Sequence, residues 1–239
     1  MSRLAGRTAL VTGASAGIGR AVALGLAADG VAVHLLARRP DPLAAVAAEI
    51  AASGGSATVV PADMGDEAAV RGAARSLNAG PLDILVHAAA VIAIGTVAEA
   101  PVAELDRQWS VNVRGPWLLT QLLLPALRAR RGDIVFVNSS AGLAAAAGVS
   151  QYAATKHALK AIADSLRAEV NADGVRVMSV YPGRTATPMQ EGLHLAEGKP
   201  YRPASLLQPD EVAATLLSAL RLPPGAEVTD LRIRPATRP

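Results

Sequence analysis

The sequence predicts an α/β fold, a doubly wound parallel sheet of about seven strands with helices on both faces, and three observations carry that expectation. Short apolar runs of the kind buried on both faces of a parallel sheet recur along the chain: RTALVTG, VAVHLL, ATVVPAD, LDILVHA, DIVFVNS, VRVMSVY and EVTDLRI. Segments with apolar residues at helical spacing separate most of them, so that strand and helix alternate and right-handed crossovers bring the strands parallel. The 239 residues contain neither an internal repeat nor a linker, which fits a single domain over residues 1–239.

RTALVTG ends in glycine, and from Gly17 to Asp29 the residues Ile18, Val22 and Leu26 keep helical spacing until Gly30, giving strand, turn and helix. VAVHLL is the second strand, after which Asp41-Pro42 opens a helix whose Leu43, Val46, Ala47 and Ile50 share a face as far as Gly54. ATVVPAD leads to a helix starting near Asp66, and LDILVHA is the fourth strand. Between residues 101 and 131 the spacing predicts two helices, near Val102 to Val111 and near Trp117 to Arg130. The one dense basic run, Arg128, Arg130 and Arg131, reads as a helix C-terminus complementing its dipole rather than as a nucleic-acid patch. DIVFVNS precedes the longest helical pattern, residues 150 to 172; VRVMSVY follows it, and Pro209 to Leu220 is the last helix before EVTDLRI. The stretch from Arg184 to Ser205 breaks the alternation with glycine, proline and charge over about 20 residues, a length that suits a substrate lid.

Composition excludes several functions. No cysteine means no disulfide framework, zinc knuckle or thiol nucleophile. The longest apolar stretch, GPWLLTQLLLPAL, runs straight into RARR, too short to span a membrane, and the N-terminus lacks the apolar core of a secretory signal. A cytoplasmic location is expected, with a small-molecule partner and neither nucleic acid nor membrane. The formal charge of +3 is spread along the chain, and much of the 51% hydrophobic content is alanine, which lets helices lie close to a sheet.

Between the first strand and first helix, TGASAGIG sets Gly13, Gly17 and Gly19 where backbone can approach a ligand and where helix amides favour phosphate. Farther along, YAATK puts Tyr152 and Lys156 on one helical face with only small residues between. The pattern T-G-x-x-x-G-x-G with Y-x-x-x-K downstream resembles the short-chain dehydrogenase/reductase family, and the likeness runs from Arg7 to about Met189.

That resemblance implies a Rossmann-like fold and an oxidoreductase that interconverts a carbonyl and an alcohol with a nicotinamide cofactor. Gly13, Ser15, Gly17, Ile18 and Gly19 would surround its phosphates. Where NAD-linked relatives carry an acid, this chain has Ala37 followed by Arg38 and Arg39, whose guanidinium forks suit a 2′-phosphate. NADP(H) is therefore favoured, with NAD(H) possible, although the second basic position of NADP-preferring relatives is Ala16. Asp63 and Met64 match the adenine contact, or Asp63 caps the following helix. HAAA at residues 87 to 90 departs from the usual N-N-A-G: Ala89 and Ala90 can still pass along the ribose, Ala88 implies altered local support, and His87 reads as strand-end packing. Pro182, Gly183, Thr185 and Thr187 match the segment beside the nicotinamide.

By the same likeness Asn112, Ser139, Tyr152 and Lys156 form the catalytic set. A free phenol has a pKa near 10. An ammonium one turn away is expected to lower it so that Tyr152 exchanges a proton with the substrate oxygen, with Ser139 holding that oxygen and Asn112 supporting a water chain through Lys156. Ser139, Leu143, Val149, Tyr152, Met189 and Leu193, with Val91, Ile92 and Leu195, would line an apolar substrate pocket, and His194, Lys199 and Arg202 either recognise a polar group or belong to a solvated lid. Ala158, Leu159, Ile162, Leu166 and Val170 offer more apolar surface than one sheet face needs, and with the resemblance they imply a homodimer or homotetramer. Two other readings share these residues: an NAD-linked alcohol dehydrogenase of the same fold, and a catalytically silent nucleotide-binding scaffold or sensor.

Overall fold

In a computed structural model describing residues 2–77 and 80–236, seven parallel strands form one sheet in the order β3-β2-β1-β4-β5-β6-β7. The strands are β1 Thr8–Thr12, β2 Ala32–Ala37, β3 Ser56–Pro61, β4 Ile84–His87, β5 Asp133–Val137, β6 Arg176–Pro182 and β7 Asp230–Ile233. The helices are α1 Gly17–Ala28, α2 Pro40–Ala52, α3 Glu67–Leu77, α4 Val102–Trp109, α5 Gly115–Arg130, α6 Ser150–Val170, α7 Pro188–Ala196 and α8 Pro209–Leu220. Side chains alternate along each central strand, so two cores form. Ala9, Val11, Val135 and Val137 pack under α1, α2 and α8, while Leu10, Ile134 and Phe136 pack under α3, α5 and α6. The edge strands β3 and β7 are the exception to burial on both faces, since their residues alternate between exposed and half-buried or buried.

The order reverses between β1 and β4, and in such sheets the crevice beyond the carboxyl ends of the strands at this switch is the binding place. At the opposite end the sheet is held by charge. Buried Asp133 takes Arg7 at 2.8 Å and Arg176 at 2.6 Å, and Asp83 accepts the Thr8 amide and pairs with Arg130 at 2.9 Å. Arg128 pairs with Asp173, so two members of the basic run are engaged in ion pairs around the end of α5.

Several boundaries differ from the sequence reading. The two helices expected between residues 101 and 131 are one continuous helical run: a π turn over Ser110–Arg114 joins α4 to α5, with the Gly115 amide donating to the Ser110 carbonyl. Pro116 causes the widening, because it lacks the N–H that the Asn112 carbonyl would take in a regular α-helix. Here Pro116 changes the winding of a helix instead of ending one. The entry to α2 is Pro40 with Arg39 before it and no side-chain cap, so Asp41 lies in the first turn, where its charge favours the dipole. Of the α6 residues expected to form surplus apolar surface, Leu159, Leu166 and Val170 are in the core. The exposed large apolar side chains of this side are instead Val102, Trp109 and Trp117. Among the described residues no helix is long and apolar enough to cross a membrane.

Candidate active site

A cavity of about 430 Å³ lies at the carboxyl ends of the strands, reaching from Arg38, Arg39, Asp63 and Met64 past the glycine turn to Ser139, Tyr152, Lys156 and the lid. The glycine turn is packed hard: Gly13 has φ +68°, and a Cβ on it would come within 2.7 Å of the Ala89 amide nitrogen. α1 starts without a side-chain cap, since its N-cap is Ala16, and its first turn holds no acid. Unpartnered amides at a positive helix end facing the cavity fit a phosphate-bearing ligand. At HAAA the buried Thr12 hydroxyl accepts from both the Ala88 and Ala89 amides at 3.1 Å.

Around the cavity stand Gly13, Ser15, Gly17, Ile18, Gly19, Arg38, Arg39, Asp63, Met64, Ala89, Ala90, Pro182, Gly183, Thr185 and Thr187, which with Tyr152 and Lys156, the latter expected on the nicotinamide ribose, are all the residues expected to touch a cofactor. Asp63 is not the helix cap. Its carboxylate accepts from the Gly65 amide at 2.8 Å, while Asp66 accepts from Ala68 and so serves the start of α3. Thr187 is the N-cap of α7, accepting from the Gln190 amide at 3.2 Å, which leaves its hydroxyl proton available. His87 is buried, stacked on Phe136 at 4.9 Å and bonded to Thr120, and burial pushes its imidazole down to about 3, so it is neutral packing.

Ser139, Tyr152 and Lys156 meet at one wall. Ser139 follows β5 and caps a short 3₁₀ turn, its oxygen accepting from the Ala141 amide at 3.1 Å, so its own O–H is free to donate. Lys156 is buried, donates to the Val137 carbonyl at 3.1 Å and holds its nitrogen 5.7 Å from the centre of the Tyr152 ring. Burial pushes the Tyr152 phenol up to about 12, against a smaller downward pull from the Ser139 hydroxyl, and pushes the Lys156 ammonium down to about 8. The expected lowering of the phenol is therefore overturned. Burial penalises the charged form of both groups, and for the phenol it outweighs the hydrogen bond from Ser139.

Asn112 also departs from expectation, since it does not line the cavity. Its amide oxygen accepts from the Val91 N–H, and its nitrogen donates to the Val91 carbonyl and to Thr155 Oγ1, at 2.8, 2.8 and 3.1 Å. With Thr155 donating onward to the Tyr152 carbonyl, the side chain of Asn112 locks the wall segment at Val91 to the helix that carries the tyrosine. It is a positioning residue: both amide N–H donors are engaged, and Oδ1 keeps one free lone pair.

The family model described as short chain dehydrogenase matches residues 7–198. The chain belongs to that family. As a short-chain dehydrogenase it is an NAD(P)-dependent dehydrogenase or reductase. It is 35% identical to the glycine betaine reductase ATRR of Emericella nidulans over 99% of its own length, and spans 19% of that protein. An alcohol dehydrogenase from Thermococcus sibiricus complexed with 5-hydroxy-NADP superposes with a TM-score of 0.88 at 28% identity, each chain covered to 98%. A short chain dehydrogenase from Burkholderia cenocepacia in complex with NADP gives 0.85 at 34%, with 97% of both chains covered.

In this short-chain dehydrogenase Val149, Met189 and Leu193 line the pocket as expected, with Val91 and Ile92. Leu143 does not: it closes the 3₁₀ turn, its amide bonded to the Ser140 carbonyl, away from the cavity. Leu195 is 83% exposed on the outer side of α7. His194 is buried against Gln190 and Tyr201, and Lys199 pairs with Glu197; neither lines the cavity. Sequence reasoning missed Asn138, which accepts from the Ser139 amide and donates to the Lys156 carbonyl, tying the two reactive segments together. Its position in NSSAG, directly before the serine, was the available signal.

Proposed function

We propose that this short-chain dehydrogenase is an NADP(H)-preferring oxidoreductase that interconverts an uncharged, largely apolar ketone or aldehyde with its alcohol. The observation that carries the reading is the convergence of Ser139, Tyr152 and Lys156 on one end of a cavity whose other end is lined by Arg38 and Arg39. When bound, the nicotinamide supplies or takes the hydride. Arg38 and Arg39 would hold the 2′-phosphate, the bare start of α1 the pyrophosphate, and Thr187 the carboxamide. In reduction Ser139 donates a hydrogen bond to the substrate oxygen, and the Tyr152 hydroxyl gives that oxygen its proton. A phenol pushed up to about 12 is protonated across the physiological range, which suits an acid. Lys156, still charged at pH 7, stabilises the phenolate left behind.

Tyr152→Phe is expected to abolish carbonyl reduction followed by nicotinamide absorbance while leaving the Kd for NADPH within about threefold; surviving turnover would exclude the tyrosine as the acid. For the coenzyme, Arg38→Ala is expected to weaken NADPH by about tenfold or more with little change for NADH, read by titration of cofactor fluorescence. Equal affinities of the unmodified protein for the two coenzymes would overturn the preference. A homodimer or homotetramer and a cytoplasmic location belong to the same proposal; exposed Trp109 and Trp117 beside α6 support the first.

A further inference from the structure

Among the described residues five charged ones line the cavity, Arg38, Arg39, Asp63, Lys156 and Arg184, and of these only Arg184 belongs to the lid. It follows Gly183 directly, and its backbone carbonyl accepts from Leu207, which anchors the base of the lid. Its guanidinium is already taken. Nη1 and Nη2 meet Oε2 and Oε1 of Glu197 at 3.1 and 2.7 Å, a two-pronged pair of the geometry that a substrate carboxylate would otherwise claim.

Glu197 stands where an acid is poorly placed for helix stability. It directly follows Ala196 at the end of α7, where the dipole is negative. Two cations compensate, Arg184 and Lys199, the latter at 2.9 Å, and the first of them does most to hold the carboxyl down to about 2. The neighbouring wall, Val91, Ile92, Val149, Met189 and Leu193, is apolar. Among the described residues no aromatic ring but that of Tyr152 lines the cavity, so they offer no aromatic cage to a quaternary ammonium either.

We propose that Glu197 is a specificity-determining residue: by occupying the Arg184 guanidinium it keeps the lid from binding anionic substrates, and so restricts the pocket to neutral carbonyl compounds. The inference rests on the function proposed above for the identity of the pocket, and its test does not depend on turnover. The protein saturated with NADP⁺, which cannot reduce a ketone, is titrated calorimetrically with 4-methyl-2-oxopentanoate and with its methyl ester.

The unmodified protein is expected to bind the ester more tightly than the acid. Glu197→Gln is expected to move the ratio of the two dissociation constants toward the acid by at least about tenfold, and Arg184→Gln in the same background to abolish that gain. Arg184→Gln alone, which takes the guanidinium from the cavity lining and leaves Glu197 paired with Lys199, is expected to move the ratio toward the ester. A purely structural role for the pair would weaken both ligands alike and leave the ratio unmoved. No gain for the acid in Glu197→Gln, an unmoved ratio in Arg184→Gln, or an unmodified protein that already prefers the acid overturns the proposal. A protein that binds the ester but does not reduce it with NADPH removes the proposed function and leaves this inference standing.

Discussion

At the scale of single residues, Lys156 shows a conflict between stability and chemistry. Burial pushes its ammonium from 10.5 down to about 8, so keeping it charged below pH 8 costs the folded state about 3 kcal/mol, each tenfold in acidity being worth about 1.4 kcal/mol. Between about pH 8 and 10.5 the unfolded chain keeps this proton and the folded chain has lost it, so this group's contribution to stability rises with pH across that window. Lys156→Met is therefore expected to leave the melting temperature at pH 7 unchanged or higher, despite the lost bond to the Val137 carbonyl, while abolishing turnover. In the unmodified enzyme, carbonyl reduction should fall as pH rises through about 8, where the ammonium that steadies the tyrosinate is lost, and a pH–rate profile flat to pH 10 would contradict that assignment. Spacing set Tyr152 and Lys156 on one face, because residues four apart on a helix are neighbours in any fold, and the resemblance to the family made them a reactive pair. The direction of the phenol's shift was not legible, since it depends on how deeply other elements bury Tyr152.

Between secondary-structure elements, the decisive contact is the π turn against α6. Gly115, the residue after that turn, faces the loop at Met64, and a Cβ there would overlap the Met64 carbonyl oxygen. Gly115→Ala is expected to destabilise the protein by about 2 kcal/mol in urea denaturation and to lower kcat as well, because the same shift pulls Asn112 from Val91 and Thr155. Unchanged kcat would mean that the Asn112 bonds do not position the site. Apolar periodicity located α4 and α5 to within a few residues, and α8 matched residue for residue. What periodicity could not convey was that Pro116 sits inside a helix, since a proline after glycine reads as a break. Leu143 was misplaced for a related reason: its direction depends on the 3₁₀ turn that Ser139 caps. The pairing of Arg184 with Glu197 bridges thirteen residues across the lid and leaves no periodic trace.

Across the whole molecule, the two ends of the sheet have separate tasks. Asp133 begins β5 at the ion-paired end and Ser139 follows the other end of the same strand. Asp133→Ala strands two arginines around a buried position and is expected to cost about 3 kcal/mol or more of stability, seen as a lower melting temperature, while KM for the carbonyl substrate stays within about twofold. A large KM change would show that the two ends communicate. The doubly wound parallel sheet of about seven strands was legible because alternating strands and helices with right-handed crossovers bring the strands parallel, whereas the strand order and the switch between β1 and β4 came only from the pairing of distant segments. The bare start of α1 carries a consequence for the chain's lifetime. Since Ala16 gives those amides no acceptor, an anion seated there finishes the helix as well as being held by it. Resistance to digestion is therefore expected to rise with the concentration of dinucleotide.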